Sequence, residues 1–122
     1  MAISIDNTSI STSQTVNLTA WTITQPAGSD PTLGTPARDA ACNAIVDLID
    51  AGAAGTGYVE IRDSTTVLVT IQLQDPAFGA ASTGTATLLG VPLSGTAGAT
   101  GTADNYIVYD DDDNAIWSGT VA

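Results

Sequence analysis

The stretch YIVYDDDDNAIWSGTV near the C-terminus sets four consecutive carboxylates, Asp110, Asp111, Asp112 and Asp113, between two apolar alternating runs. A hard cation such as calcium takes oxygen donors at that density, six to eight of them at about 2.3–2.6 Å. The alternate positions Asp110, Asp112 and Asn114 imitate the start of an EF-hand loop. The sixth position, however, is Ala115 where that loop requires glycine, and the twelfth is Val121 where it requires a bidentate glutamate. No helix is expected on either side. Asp and Asn also tolerate turn conformations and hydrogen-bond their own backbone. The run therefore reads as a β-hairpin tip between strands that carry Tyr106 and Val108 on one arm and Ile116 on the other. Weak calcium binding by such closely packed like charges stays open, as a stabiliser and not as a catalyst.

Other chemistry is thin. The chain has no histidine to activate Cys42, which lies in a helical stretch where a small buried side chain is expected. A single cysteine forms no intramolecular disulfide. Glu60 is the only glutamate and is expected on the exposed side of a strand, opposite Arg62 or beyond it. A glycosidase-type carboxylate pair also needs a cleft with aromatic platforms. At 5% aromatic residues few are at hand, and Trp21 and Trp117 are expected in core or interface packing. The runs GAAGTG and GTAGATG do not follow the dinucleotide fingerprint, and there is no lysine for a P-loop. No catalytic, cofactor-binding or metal-ligating residue is assigned, no cofactor is implied, and an enzyme is not expected.

The elements that must carry these residues are mostly strands. TVNLTAWTIT alternates apolar and polar residues and predicts a strand over 15–24, ended by the Pro- and Gly-rich QPAGSDPTLG. TPARDAACNAIVDLIDAG changes period and predicts an amphipathic helix over about 36–51. Ala37, Ala41, Ile45 and Leu48, with Ala44 and Ile49, make its apolar side, and Asp39, Asn43, Asp47 and Asp50 its polar side. Thr35 is the expected cap, Pro36 the first helical residue, Asp39 a partner for the helix dipole, and Gly52 a left-handed stop. YVEIRD and TVLVTIQLQ around ST predict a tight hairpin with Tyr58, Ile61, Val67, Val69, Ile71 and Leu73 as core candidates. A one-residue slip at the turn would reverse their facing. DPAFGAASTG is a loop plugged by Phe78, TATLLGVPL a short strand limited by Pro92, and SGTAGATGTADN a loop with little to hold it. The fold class is mostly β or α+β: a small β-sandwich or barrel-like sheet with one helix, residues 1–122 as one domain and 1–13 as an arm or edge strand.

A chain of 122 residues with 43% hydrophobic residues can bury about two thirds of its unfolded surface around one core. No apolar run approaches the roughly 20 residues needed to cross a bilayer, and the N-terminus as written has no signal-peptide pattern, so synthesis in the cytosol without export is expected. Two cations against 13 acids, net charge −11, disfavour nucleic acid and anionic membrane as partners. Charged residues are only 12%, leaving a surface of Thr, Ser, Ala, Gly and Asn. Such side chains lose little rotamer entropy when a partner covers them. Composition alone fits a covered surface and a solvated Thr-rich β-protein equally.

ACNAIVDLIDAGAAGTGYVEIRD, LQDPAFGAASTGTAT and TADNYIVYDDDDNAIWSGTV together resemble a group of small structural proteins of tailed bacteriophages. In these an Ala-rich helix precedes a strand, a DPAFG loop and a final hairpin. The resemblance spans roughly Ala37 to Val121 and carries no catalytic signature. It departs in one respect: a stretch similar to NTSI…VNLTAWTITQP follows the last hairpin in those proteins and opens the chain here, as in a circular permutation or an exchange between neighbours. The resemblance implies a virion component, foremost a capsid decoration or cement protein on the outer head surface, made in the host cytoplasm. Its implied partners are the major capsid protein and copies of itself, as a homotrimer, with no nucleic acid or membrane. A tail or baseplate accessory protein is the alternative, and a calcium- or carbohydrate-binding β-module using Asp110 to Asp113 a third.

Overall fold

The structure, a computed structural model, describes residues 3–29, 31–53 and 55–121. Strands β1 (Ser4–Ile5), β2 (Ser9–Ile10), β3 (Thr15–Ala20) and β4 (Thr22–Thr24) precede helix α1 (Thr35–Asp47), which a 3-10 turn, Leu48–Asp50, prolongs. Then come β5 (Tyr58–Asp63), β6 (Thr66–Gln72), β7 (Thr85–Thr87), β8 (Leu93–Thr96), β9 (Gly101–Thr102), β10 (Asn105–Tyr109) and β11 (Ala115–Thr120). They form a four-stranded antiparallel sheet β11-β10-β5-β6, a three-stranded sheet β1-β3-β8, and the two-stranded ladders β2–β9 and β4–β7. The fold is thus mostly β with one helix, as the patterning predicts, and the described strands form no closed barrel.

Alternation places Val16 and Leu18 of one sheet and Val59, Ile61, Val69 and Ile71 of the other in a single buried core. The sheets also meet at their edges. Gly98 N donates to Leu68 O at 2.9 Å, and Ile3 bridges Val121 in parallel. Gly95 lets β8 cross this close, because a β-carbon there would run into the Thr70 carbonyl oxygen and the Val69 and Ile71 side chains. At the centre stands Trp21, edge-on to Phe78 (5.2 Å) and Tyr106 (5.3 Å) and tilted against Trp117 (5.4 Å). Phe78 plugs its loop into the core as expected.

Several local expectations yield to tertiary demands. The strand predicted over 15–24 breaks at Trp21, whose side chain turns into the core while its carbonyl accepts Leu88 N at 2.9 Å. In the first hairpin a register shift at Ile61/Arg62 makes Leu68 an extra residue on β6. Leu68 is therefore buried beside Val69 and Val67 only half-buried, while unbroken alternation on β5 buries Val59 and leaves Tyr58 half-buried. TATLLGVPL splits into β7 and the start of β8. SGTAGATGTADN is well held: Ala97 exchanges bonds with Ser13 and Gln14 at 2.6 and 2.7 Å, and Ala103 N reaches Thr8 O at 2.7 Å. Residues 3–13 supply β1 and β2, with Ile3 and Ile10 buried; Met1 and Ala2 of the expected arm lie outside the described residues.

The helix docks turned away from much of its expected apolar side, although Ile49 is buried as expected and Ala41 and Ile45 are half-buried. Its buried residues are Cys42, Val46 and, in the 3-10 turn, Ile49; Ala37, Ala44 and Leu48 face outward, Leu48 at 50% exposure. The reason is backbone satisfaction. The segment 77–84 leaves main-chain N–H groups without ladder partners, and such groups must find acceptors. Asp39 Oδ1 accepts from Gly84 N (2.6 Å), Asn43 Oδ1 from Ala81 N (2.8 Å), and the Asp50 carboxylate from Ala77 N (3.2 and 3.3 Å). The caps change too. Gly34 occupies the N-cap without a side-chain bond, Thr35 is already helical, and the end tightens into the 3-10 turn with no left-handed residue at Gly52.

Candidate functional site

The aspartates sit at the tip joining β10 to β11, where Tyr109 pairs with Ala115 after a register shift. Asp110 organises the turn. Its carboxylate accepts Asp112 N at 3.0 Å, Asn114 N at 2.8 Å and Asn114 Nδ2 at 3.0 Å. Asn114's side chain first, and its backbone N–H next, hold the Asp110 carboxyl below the ordinary range by favouring its charged form. Asp113 takes a left-handed conformation, φ 66°, and its Oδ1 accepts the Tyr58 hydroxyl at 2.7 Å. Asp111 lies over Gly52, in the space a β-carbon there would need. Asp112 is exposed. Three of the carboxylates thus turn toward different partners, and among the described residues no three acidic or thiol groups converge as metal ligands.

Register places a polar cluster on the outer face of the four-stranded sheet beside this tip. Tyr109 pairs with Tyr58 across β10 and β5, and the rings stack at 5.0 Å and 17°. Arg62 binds Glu60 at 2.7 Å and reaches the Tyr109 hydroxyl at 3.3 Å. Glu60 and Arg62 are neighbours on one face of β5. Desolvation first, then Asp113, pushes the Tyr58 phenol well above its ordinary range; desolvation and Glu60 raise Tyr109. The other cation, Arg38, donates to Thr35 Oγ1 at 3.3 Å. Cys42 is buried, its thiol pushed up by desolvation and directed at Ile23 O at 3.5 Å. Trp117 donates to the Tyr106 hydroxyl at 3.2 Å and packs on Trp21, so both indoles serve the core.

The Tyr58–Tyr109 stack was not foreseen. Its signal is the outward alternation Tyr58, Glu60, Arg62, which follows once β5 buries Val59 and Ile61 on its other face. No pocket opens among the described residues. The arrangement can hold a turn, screen a sheet face and present carboxylates. No protein-family model matches the chain, no curated protein matches it, and no solved structure matches its fold.

Proposed function

We propose that this chain is a bacteriophage virion structural protein, foremost a capsid decoration or cement protein that binds the outer head surface and stabilises the shell. The observation that supports this most is the make-up of the exposed surface. It is acidic and otherwise built from small hydroxyl and apolar side chains, and of its two cations Arg62 is held by Glu60 at 2.7 Å. A protein facing packaged DNA gains from free cations, whereas an outer position tolerates carboxylates. Short side chains lose little entropy when covered. The resemblance of residues 37–121 to small phage structural proteins supports the same reading.

The mechanism is added binding free energy. A copy that binds the expanded shell more tightly than a ruptured one shifts that equilibrium, and many weak contacts sum through multivalency. The major capsid protein is the partner in this reading. Quantitative mass spectrometry and electron microscopy of purified particles that encode the chain test it. The expected result is hundreds of copies on the head. Absence from particles overturns the virion reading, and a handful of copies confined to the tail replaces cement with a tail or baseplate accessory role.

A further inference from the structure

Residues 7–29 and 76–103 contain no charged side chain, although the chain carries 15 in all, 13 acids and two cations. The fold gathers these two segments on one side. Together they supply β2, β3, β4, β7, β8 and β9. β3 pairs with β8, and β4 with β7, so the two segments form successive antiparallel ladders. On the outward side of the first ladder stand Thr15, Asn17 and Thr19 beside Ser94 and Thr96. On the second, Thr22 pairs with Thr87 and Thr24 with Thr85, the latter two hydroxyls 3.0 Å apart. Between the ladders the chain loops out over Leu89–Pro92, exposing Leu89 at 37% and Val91 at 43%. Described carboxylates reach this side only at its margins: Asp6, bound by Asn17 Nδ2 at 2.7 Å and Asn17 N at 3.1 Å, with Asp39 of α1 accepting Gly84 N at 2.6 Å and Asp63 of β5 accepting Thr102 N at 3.1 Å. Asp30 lies outside the described residues. Every other charge belongs to α1, its 3-10 turn, β5, Asp75, Asp104 or the aspartate tip.

This partition has an electrostatic consequence. Two copies at −11 each repel wherever carboxylates meet. Packed sheets lie about 10 Å apart, and salt screens charge beyond about 8 Å at physiological strength. A contact through the uncharged side keeps the charges of β5 and the aspartate tip behind a second sheet. We infer that this side, with Leu89 and Val91 as its apolar anchors, is the surface through which one copy of the chain docks on a second copy. The inference is independent of the virion reading: a chain absent from particles can still self-associate this way, and a strict monomer can still bind a shell.

Sedimentation velocity over a range of protein concentrations tests it. The wild-type chain forms concentration-dependent oligomers that persist or strengthen from low to high salt. Leu89→Asp with Val91→Asp weakens this association about a hundredfold or more, because unpaired charge becomes buried. Thr70→Asp with Ser118→Asp adds the same charge to the exposed face of the other sheet and changes it by about threefold or less. If the first pair impairs folding by circular dichroism, Ser94→Asp with Thr96→Asp, on the outward side of β8, gives the same reading. A wild-type chain that stays monomeric at every concentration, or equal effects of the added charges on both sides, overturns the inference.

Discussion

The carboxylate of Asp111 fills the space that a β-carbon on Gly52 would occupy. The hairpin tip is thereby seated on the segment leaving the helix, and the glycine serves contact, not helix termination. Gly52→Ala should displace Asp111 and lower stability by about 1 kcal/mol. Because the two positions share one volume, Asp111→Ala combined with Gly52→Ala should cost less than the sum of the single changes. A double-mutant cycle by urea unfolding measures this, and strict additivity would show that they do not touch.

Gly95 makes a stronger case, because there the obstacle is backbone. Gly95→Ala must push β8 away from the Thr70 carbonyl oxygen, and we expect about 1–3 kcal/mol of destabilisation. Gly98, around which a β-carbon meets open space, is the control. Equal unfolding midpoints for Gly95→Ala and Gly98→Ala would contradict the close approach of the sheets.

The turned helix predicts its own pattern of tolerance. Asn43→Ala leaves Ala81 N–H without its acceptor and should cost about 1–3 kcal/mol. Ala44→Gln, one residue on but outward, should change stability by about 0.5 kcal/mol or less. Thermal unfolding of both variants separates this from a helix that buries its alanines, for which the order would reverse.

Acid titration should reveal two carboxylates with opposite signs. Asp110 has its folded pKa lowered by Asn114 below the ordinary 3.8. Its contribution is complete above 3.8 and disappears as pH falls through the lower folded value, so Asp110→Asn should destabilise at neutral pH and converge on wild type in acid. Asp50 has its pKa raised, by desolvation first and then by Asp75 and Asp47, against the opposing bond from Ala77 N. Charging it costs stability as pH climbs from 3.8 through the raised value. Asp50→Asn, which keeps an acceptor, should raise stability at neutral pH and leave it unchanged below 3.8. Denaturant unfolding at neutral and acid pH gives both signs.

Calcium should do little. The tip carboxylates of Asp110, Asp111 and Asp113 turn toward Asn114, Gly52 and Tyr58 respectively. Millimolar calcium should leave the thermal midpoint unchanged apart from the screening that sodium at equal ionic strength reproduces. A calcium-specific rise that Asp112→Asn abolishes would restore the metal reading.

Much of the fold was readable one segment at a time. Period-two alternation marks β3, β5, β6 and β10, and turn chemistry marks the tip at Asp110–Asn114. These features depend on neighbours a few residues apart, which the chain itself supplies. The helix was legible as a helix for the same reason, although its orientation was not. Its stripes of alanine and of Asp39, Asn43 and Asp50 were both available to face inward. Backbone N–H groups of segment 77–84, 27 to 45 residues downstream of the side chains they meet, selected the polar stripe.

The aspartate run follows the same division. Residue types determined that Asp110 to Asn114 would form a turn, because the donors that Asp110 accepts lie two and four residues away. Tertiary structure decided the rest: Asp111 over Gly52, Asp113 on Tyr58, the break at Trp21, and the gathering of two uncharged segments onto one side. Each joins groups distant in the chain, and burial and hydrogen-bond satisfaction act on neighbours in space, which no local pattern encodes.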